Sequence, residues 1–282
     1  MHPIPDDLAL VARMRSAHRH ARKALGVQAV RDERHREAWG YRGRTLSLPV
    51  TRTHEPGWLR LASAQTGRIA RTFWDGTLDA EADLPADLPR PRLRSHHDWK
   101  NPPWQYRAEL YDEEPGRPIS ATAFPTTVPA LSPSWWTALR AALRTVAQVH
   151  TNRCTLRQPY LDDAIPRVLG TRIDAPDISW EPAHGDLHWA NLYAPLRIVD
   201  WEGWGLAPVG YDAAMLHSHS LLHPPTADHI RQEFPVLHTP AGLYAQLATI
   251  TELLDALPGT SPAVPALRDQ AARILRRSLP RR

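Results

Sequence analysis

The sequence predicts an α+β protein with a β-rich first part and a mainly helical second part. Short segments of β-forming residues, separated by proline-containing turns, dominate residues 1–118. From residue 119 onward, apolar residues recur at the three- and four-residue spacing of amphipathic helices. With 282 residues, 42% of them hydrophobic, the chain can bury a substantial core. We therefore expect two lobes, residues 1–118 and residues 119–282.

The first lobe is predicted to begin with a helix and to continue as strands. Leu8, Val11 and Met14 lie at helical spacing, and Gly26 supplies a stop. The segments RTLSLPVTR and WLRLASA, on either side of a turn at residues 54–57, predict a hairpin. A short helix over residues 71–82 and the strand WQYRAELY, which ends at Tyr111, complete the lobe.

The second lobe is predicted to be helical. Residues 132–150 place Trp136, Leu139, Leu143 and Val146 on one buried stripe. Three further segments have the composition of helices: YDAAMLHSHSLL, PAGLYAQLATITELLDAL and SPAVPALRDQAARILRRSL.

Composition excludes several classes of protein. The single cysteine, Cys154, cannot form an internal disulfide, so we expect a reducing compartment and a cytoplasmic location. No uncharged apolar run approaches the roughly 20 residues of a membrane helix, so no membrane span is expected. The net charge is +4, but the arginines are spread along the chain and do not cluster with aromatic residues, which argues against nucleic-acid binding.

The residues with the clearest chemical signal lie between residues 183 and 214. Asp186 and Asn191 are five residues apart, and Asp200 directly follows the short apolar segment that ends in Ile198 and Val199. A loop followed by a strand can bring these three side chains around one hard cation, because Mg²⁺ prefers oxygen ligands.

These residue types suit phosphoryl transfer from a magnesium nucleotide. Asp186 is then expected to orient and deprotonate an acceptor hydroxyl, while Asn191 and Asp200 hold Mg²⁺. We expect His184 to support the loop through a hydrogen bond of its ring rather than to take part in the chemistry.

The segment HGDLHWAN, followed by IVDWEG, resembles the HxDxxxxN motif and metal-binding aspartate of aminoglycoside phosphotransferases and choline kinases. The resemblance implies a two-lobed protein-kinase-like fold and transfer from ATP or GTP to a hydroxyl of a small molecule. It also implies that Asp186 is the catalytic base and that Asn191 and Asp200 are the magnesium ligands. Asp212 resembles the buried aspartate that accepts hydrogen bonds from the catalytic loop. The likeness is strong over about residues 180–222 and weak over the rest.

His184, Asp186 and His188 also form HxDxH, a pattern compatible with a transition-metal site or with the start of a metallophosphoesterase. No GDxxDRG or GNH-like partner follows later in the chain, which disfavours this alternative.

The first lobe departs from the kinase pattern. No lysine stands on the expected strand, where Arg60 is the candidate for gripping phosphate, with Glu81 or Asp79 as its candidate partner. An exposed Arg60 without such a role is an equally good interpretation. No GxGxxG is present, and by resemblance the adenine-binding edge lies at residues 110–113, which include Leu110 and Asp112. Because the lysine and the GxGxxG motif are missing, a second interpretation stays open, namely a degenerate, non-catalytic nucleotide-binding protein.

The acceptor is poorly specified. After Asp212 the chain carries five acids against seven arginines, which argues mildly against a strongly cationic acceptor. A local cluster such as Glu252 and Asp255 could still bind one.

Overall fold

A computed structural model of the chain describes residues 3–30, 37–112, 117–128, 130–173 and 178–278. The chain divides into two compact units. The first is Met1–Glu81 together with Arg90–Arg117, and the second is Ala82–Pro89 together with Pro118–Arg282.

The first unit is built on an antiparallel sheet. Its neighbouring strands run in the order β1-β3-β4-β6-β5, and β2 pairs with β3. The strands are β1 (Gln28–Ala29), β2 (Ala38–Trp39), β3 (Thr45–Arg52), β4 (Glu55–Gln65), β5 (Leu93–Asn101) and β6 (Trp104–Tyr111). The helices are α1 (Leu8–Leu25), α2 (Arg71–Trp74) and α3 (Gly76–Asp83).

Helix α1 covers one part of this sheet. The Asp7 carboxylate caps its first turn by accepting hydrogen bonds from the backbone N–H groups of Ala9 and Leu10. Gly26 ends the helix in the left-handed conformation, with φ 65°, as the sequence predicts. The buried face of α1 packs against the sheet in one core, which includes Val11, Met14, Ala17, Leu46, Leu59 and Leu61.

The turn of the β3–β4 hairpin lies earlier than predicted. β4 begins at Glu55, so the turn residues are Thr53 and His54, which have φ values of 47° and 73°. Two successive positive φ values are typical of tight hairpin turns, because this backbone conformation matches the twist of the paired strands. The helix predicted over residues 71–82 is divided into α2 and α3. Strand β5 was not predicted, because its sequence RSHHDWK is polar and lacks the β-branched residues typical of strands.

The second unit is mainly helical. Its helices are α4 (Pro133–Ala147), α5 (Gln158–Leu169), α6 (Tyr211–His219), α7 (Pro224–Glu233), α8 (Pro240–Ala256) and α9 (Ala263–Ser278). The strands β7 (Trp180–Ala183) and β8 (Gly205–Pro208) form a separate antiparallel pair. The four predicted helices are present, whereas α5 and α7 were not predicted. Side chains of α5, α6, α8 and the β7–β8 pair share one core, which includes Leu161, Ile165, Ala207, Met215 and Ala248.

The helices bear on the expected absence of a membrane span. Within the described ranges, no helix is both long enough and apolar enough to cross a bilayer.

His18, on the buried face of α1, makes a prediction about stability and pH. Its ring is 2% exposed, and burial lowers its pKa from 6.5 to about 4 despite a hydrogen bond with the Leu59 carbonyl. Between pH 6.5 and pH 4, residue 18 therefore binds more protons in the unfolded chain than in the folded one. The free energy of unfolding is highest above pH 6.5 in this respect and falls as pH is lowered through this window. We expect His18→Leu to reduce the slope of unfolding free energy against pH by up to about 1.4 kcal/mol per pH unit.

Urea unfolding at several pH values measures this slope. The exposed His54 provides a matched control, because His54→Gln removes a histidine from an exposed hairpin turn. Equal slopes for the wild type and His18→Leu would contradict the prediction.

Candidate active site

The loop that carries the predicted site residues is closed at its two ends by the β7–β8 pair. Ala183 of β7 lies opposite Gly205 of β8, so the two ends of the loop of residues 184–204 are adjacent. Gly185 has φ 90°, and a Cβ there would lie 2.8 Å from the Gly203 carbonyl oxygen and 2.8 Å from Thr155 Cγ2. Both the conformation and the space therefore require glycine at this position.

Asp212, in the first turn of α6, binds the start of this loop. Its Oδ2 accepts a hydrogen bond from the His184 N–H at 2.7 Å, and its Oδ1 accepts one from the Gly185 N–H at 3.0 Å. The side chain is buried, and burial raises the pKa of Asp212 above its usual value, although these two N–H groups and His184 act in the opposite direction. The carboxylate fixes the backbone immediately before Asp186.

His184 connects the two ends of the loop. Its ring is fully buried; Nε2 lies 2.9 Å from the Val199 carbonyl oxygen, and Nδ1 accepts a hydrogen bond from the Asp186 N–H at 3.2 Å. These contacts require a proton on Nε2 and none on Nδ1. Burial lowers the pKa of His184, consistent with this neutral tautomer. The expected supporting role is therefore compatible with its contacts.

The Asp186 carboxylate faces solvent, with 54% of its side chain exposed. Desolvation by the surrounding protein is the largest single effect and acts to raise the pKa of Asp186, but nearby histidines, above all His188, together outweigh it and lower this pKa to about 2. The distance from His188 Nε2 to Asp186 Oδ2 is 3.6 Å. An ionised, accessible carboxylate is what a proton acceptor in this position requires.

The Asn191 side chain is buried and oriented by the loop. Its amide nitrogen donates to the Asp186 carbonyl oxygen at 3.0 Å and lies 3.4 Å from His188 Nε2. Its backbone carbonyl accepts a hydrogen bond from the Val199 N–H at 3.0 Å. Since the amide nitrogen is directed into the loop, Oδ1 is the side-chain atom that could bind a cation.

Asp200 follows Val199, so the structure places it one residue from the backbone partner of Asn191. It is exposed and has φ 68° and ψ 57°, a conformation that is uncommon for residues other than glycine. Strained backbone of this kind is often found at functional sites. In the described part of the chain, no group of three or more His, Cys, Asp and Glu residues is placed to hold a metal ion. The predicted magnesium ligands would not form such a group, because they are two residues, Asn191 and Asp200, and one of them is an asparagine.

In the first unit, the ion pair of Arg60 corrects one expectation. Arg60 Nη1 donates to Glu109 Oε2 at 2.9 Å, and these residues lie opposite each other on β4 and β6. Of the two candidate partners, Glu81 instead binds Arg90 and Arg92, while a contact between Arg60 and Asp79 stays a prediction. The strand register explains the difference, because residues opposite each other on neighbouring strands have nearby Cβ atoms. The sequence alone does not show which strands are neighbours, so it does not show which residues are opposite.

Glu109 is therefore predicted to be important for the stability of the first unit. Its carboxylate is almost completely buried and also accepts hydrogen bonds from the hydroxyls of Thr77 and Tyr111, at 2.6 Å and 3.0 Å. We expect Glu109→Ala to lower the free energy of unfolding by about 3–5 kcal/mol, because the largely buried Arg60 cation, 14% exposed, loses this partner. Chemical denaturation measures the loss. Glu55→Ala, which removes an exposed carboxylate of β4, is the control, and an equal effect of the two would contradict the prediction.

The predicted adenine-binding edge is described only in part. Leu110 is buried within the sheet, opposite Leu59 on one side and Ser95 on the other. The exposed Asp112 accepts a hydrogen bond from Arg94 Nε at 2.8 Å. Residues 113–116 lie outside the described residues. A nucleotide contact at Leu110 or Asp112 therefore stays a prediction.

Sequence reasoning missed the contacts of the histidines behind Asp186. The sequence named His188 only within the HxDxH pattern, yet its ring approaches both Asp186 and Asn191. The rings of His188 and His219 have centroids 5.3 Å apart, and His219 also contacts Phe124. The HxDxH spacing was the available signal, but it could not indicate that His219, on α6, completes the group.

Comparisons with known proteins show what this structure resembles. No protein-family model matches the sequence, and no curated protein matches it either. Among solved structures, a thermostable mutant of an aminoglycoside phosphotransferase, in a ternary complex with ADP and hygromycin B, superposes with a TM-score of 0.62. The two sequences are 12% identical, and the match covers 92% of this chain and 98% of that one. The chain has the aminoglycoside phosphotransferase fold.

Two further structures share the aminoglycoside phosphotransferase fold with this chain. Another mutant form, solved with AMP-PNP and hygromycin B, gives a TM-score of 0.57 at 13% identity, covering 88% of this chain and 94% of that one. A provisionally named aminoglycoside phosphotransferase of Ralstonia eutropha gives 0.51 at 14% identity, covering 98% and 99%. The predicted α+β fold class is confirmed. At these identities the comparison concerns the fold, and function rests on the site.

Proposed function

We propose that the protein is a phosphotransferase that moves the γ-phosphate of a magnesium nucleotide to a hydroxyl group of a small molecule. The observation that carries the proposal is the arrangement of one loop. Asp212 binds the backbone before Asp186, Asn191 binds the backbone of Asp186 itself, and the Asp186 carboxylate remains accessible. The aminoglycoside phosphotransferase fold supports the same class of reaction.

In the proposed reaction, Asp186 accepts a hydrogen bond from the acceptor hydroxyl and takes its proton as the oxygen attacks the γ-phosphorus. The new P–O bond forms while the bond to the bridging β,γ-oxygen breaks, and the nucleoside diphosphate leaves. The low pKa of Asp186 keeps the carboxylate ionised before the reaction. His184 contributes indirectly, because its Nδ1 holds the Asp186 N–H in place.

The residues present fit a magnesium ion. Asn191 Oδ1 and the Asp200 carboxylate supply two oxygen ligands, and few protein ligands are needed when phosphates and water complete the coordination. When bound, Mg²⁺ would neutralise the charge that develops on the phosphates. The hydrogen bond between Val199 and the Asn191 carbonyl keeps the two ligand-bearing backbones together.

The contact of Arg60 with Glu109 favours a second candidate function, that of a non-catalytic nucleotide-binding protein. Arg60 is the candidate for the position where kinases use lysine, and this arginine already has a buried carboxylate partner in its own sheet. A guanidinium can still bind phosphate in a bidentate manner. We keep Arg60, Leu110 and Asp112 as proposed nucleotide-binding residues. Glu81 remains only as a supporting residue, through Arg90 and Arg92.

Two measurements on the purified protein test the proposal. MgATP and MgGTP are expected to raise the melting temperature, and the rise should be smaller for Asp200→Asn than for Asp228→Asn, a control at an exposed aspartate of α7. Nucleotide consumption is then followed with a panel of hydroxylated antibiotics, hygromycin B among them, and amino alcohols. Stabilisation without turnover on any acceptor would favour the non-catalytic alternative. Absence of both effects would contradict the two candidates together.

A further inference from the structure

The segment that follows Asp200 is held by residues from outside its own loop. Residues 153–155 lie alongside the start of β8. The Leu206 N–H donates to the Arg153 carbonyl oxygen at 2.8 Å, and the Thr155 N–H donates to the Leu206 carbonyl oxygen at 3.0 Å. This backbone pairing brings two polar side chains, those of Arg153 and Thr155, to the loop. The proposed reaction assigns no role to either of them.

These two side chains bind three consecutive backbone carbonyls. Arg153 Nη2 donates to the Glu202 carbonyl oxygen at 3.3 Å, and Arg153 Nε donates to the Trp204 carbonyl oxygen at 3.0 Å. Between them, Thr155 Oγ1 donates to the Gly203 carbonyl oxygen at 2.7 Å. The guanidinium carbon of Arg153 also lies 5.3 Å from the centroid of the Trp204 ring, which is a cation–π distance. Because the N–H donors of a guanidinium lie in one rigid plane, a single arginine can hold two carbonyls at a fixed separation.

Asp200 has a backbone conformation that needs such support. Its φ of 68° and ψ of 57° lie in the left-handed region, which is unfavourable for residues that carry a Cβ. Residues persist in this region where the surrounding structure fixes them. Within the loop, Trp201 Nε1 donates to the Ile198 carbonyl oxygen at 2.8 Å and so joins the residues on either side of Asp200. From outside the loop, Arg153 and Thr155 fix the backbone that follows.

We propose that Arg153, assisted by Thr155, is a positioning residue that keeps the Asp200 carboxylate directed toward the magnesium ion. The inference rests on the proposed function, because Asp200 is a proposed ligand of that ion. Arg153 acts through the backbone of residues 202–204 and not through contact with the metal. Without its hydrogen bonds the strained Asp200 is free to relax. Since φ and ψ determine where a side chain points, the carboxylate would then turn away from the ion.

Isothermal titration of the full chain with AMP-PNP tests this role without turnover. The dissociation constant is measured with Mg²⁺ and again with EDTA, and the ratio of the two is the metal-dependent gain in affinity. We expect Arg153→Leu to reduce this gain about as much as Asp200→Asn does, by roughly tenfold, because residues that orient metal ligands have effects of this size. The affinity measured with EDTA should not change, whereas a merely structural defect would weaken both.

Two milder variants keep the test open if Arg153→Leu does not fold, which melting temperatures without nucleotide will show. Arg153→Lys keeps the charge but cannot hold two carbonyls in one plane, so it should recover only part of the gain. Thr155→Val removes a hydroxyl at nearly constant shape and should lose part of it. Arg157→Leu is the matched control, because it removes an exposed arginine of the same stretch of chain, and it should keep the wild-type gain.

The double variant Arg153→Leu/Asp200→Asn shows whether the effect passes through Asp200. If it does, the gain is already lost in Asp200→Asn, and adding Arg153→Leu should reduce it no further. A full additional reduction, or a wild-type gain in the folded Arg153 variants, would overturn this inference alone. Absence of any gain in the wild type, or a full gain in Asp200→Asn, would overturn the proposed metal site and this inference with it.

Discussion

Replacing Asp186 with asparagine is expected to reduce turnover by about 10² to 10⁴-fold while leaving the fold unchanged. Asparagine has nearly the same shape, but its amide cannot take a proton from the acceptor hydroxyl. The backbone contacts of residue 186, with His184 Nδ1 and the Asn191 amide, do not involve the carboxylate and should be retained. Steady-state kinetics with the acceptor that the substrate panel identifies measure the loss.

The control for this prediction is Asp163→Asn, which changes an exposed carboxylate of α5 in the same unit. It should leave turnover and melting temperature unaltered. The KM for the nucleotide should also change little in Asp186→Asn, because the proposed role concerns the acceptor. Retention of wild-type turnover in Asp186→Asn would exclude this residue as the base.

Replacing Asp212 with alanine is expected to lower the free energy of unfolding by about 3–6 kcal/mol and to remove most turnover. Hydrogen bonds to a charged group contribute about 1.5–3 kcal/mol each, and Asp212 accepts two, from the buried His184 N–H and the partly buried Gly185 N–H. Without them His184 and Gly185 lose their acceptors, and the position of Asp186 is no longer fixed. Urea denaturation gives the stability, and the assay used for Asp186 gives the activity.

Asp212→Asn provides an intermediate step, because its amide oxygen can accept one of the two hydrogen bonds. It should retain more stability than Asp212→Ala. Asp228→Ala, at an exposed position of α7, is the control and should cost less than about 0.5 kcal/mol. If Asp212→Ala were as stable as Asp228→Ala, Asp212 would not support the loop as described.

The two largest expected effects come from different physical causes. Asp186 acts through an accessible charge, whereas Asp212 acts through buried hydrogen bonds that fix the backbone. This difference explains why an isosteric change is sufficient at Asp186, while truncation is the more informative change at Asp212. Both residues act on the same loop, since Asp212 binds His184 and Gly185 and the His184 ring accepts a hydrogen bond from the Asp186 N–H, so their substitutions are expected to be non-additive in activity.

The sequence predicted best where local patterns are strong. Gly26 ends α1 where predicted, and the apolar stripe of residues 132–150 forms α4, because helix signals depend on neighbours along the chain. β5 was missed since it depends on pairing with β6, which compensates for a polar sequence. Helix α5 was missed as well, and its Pro166 weakens the helical signal from sequence alone.

The sequence by itself determined the division into a strand-rich first part and a helical second part and the spacing of Asp186, Asn191 and Asp200, because periodicity and motif spacing are properties of the linear chain. Only the tertiary structure decided that Arg60 pairs with Glu109 and that Asp212 binds the start of the loop that carries Asp186. Such contacts join residues up to about 50 positions apart, and they depend on strand register and helix packing rather than on local pattern.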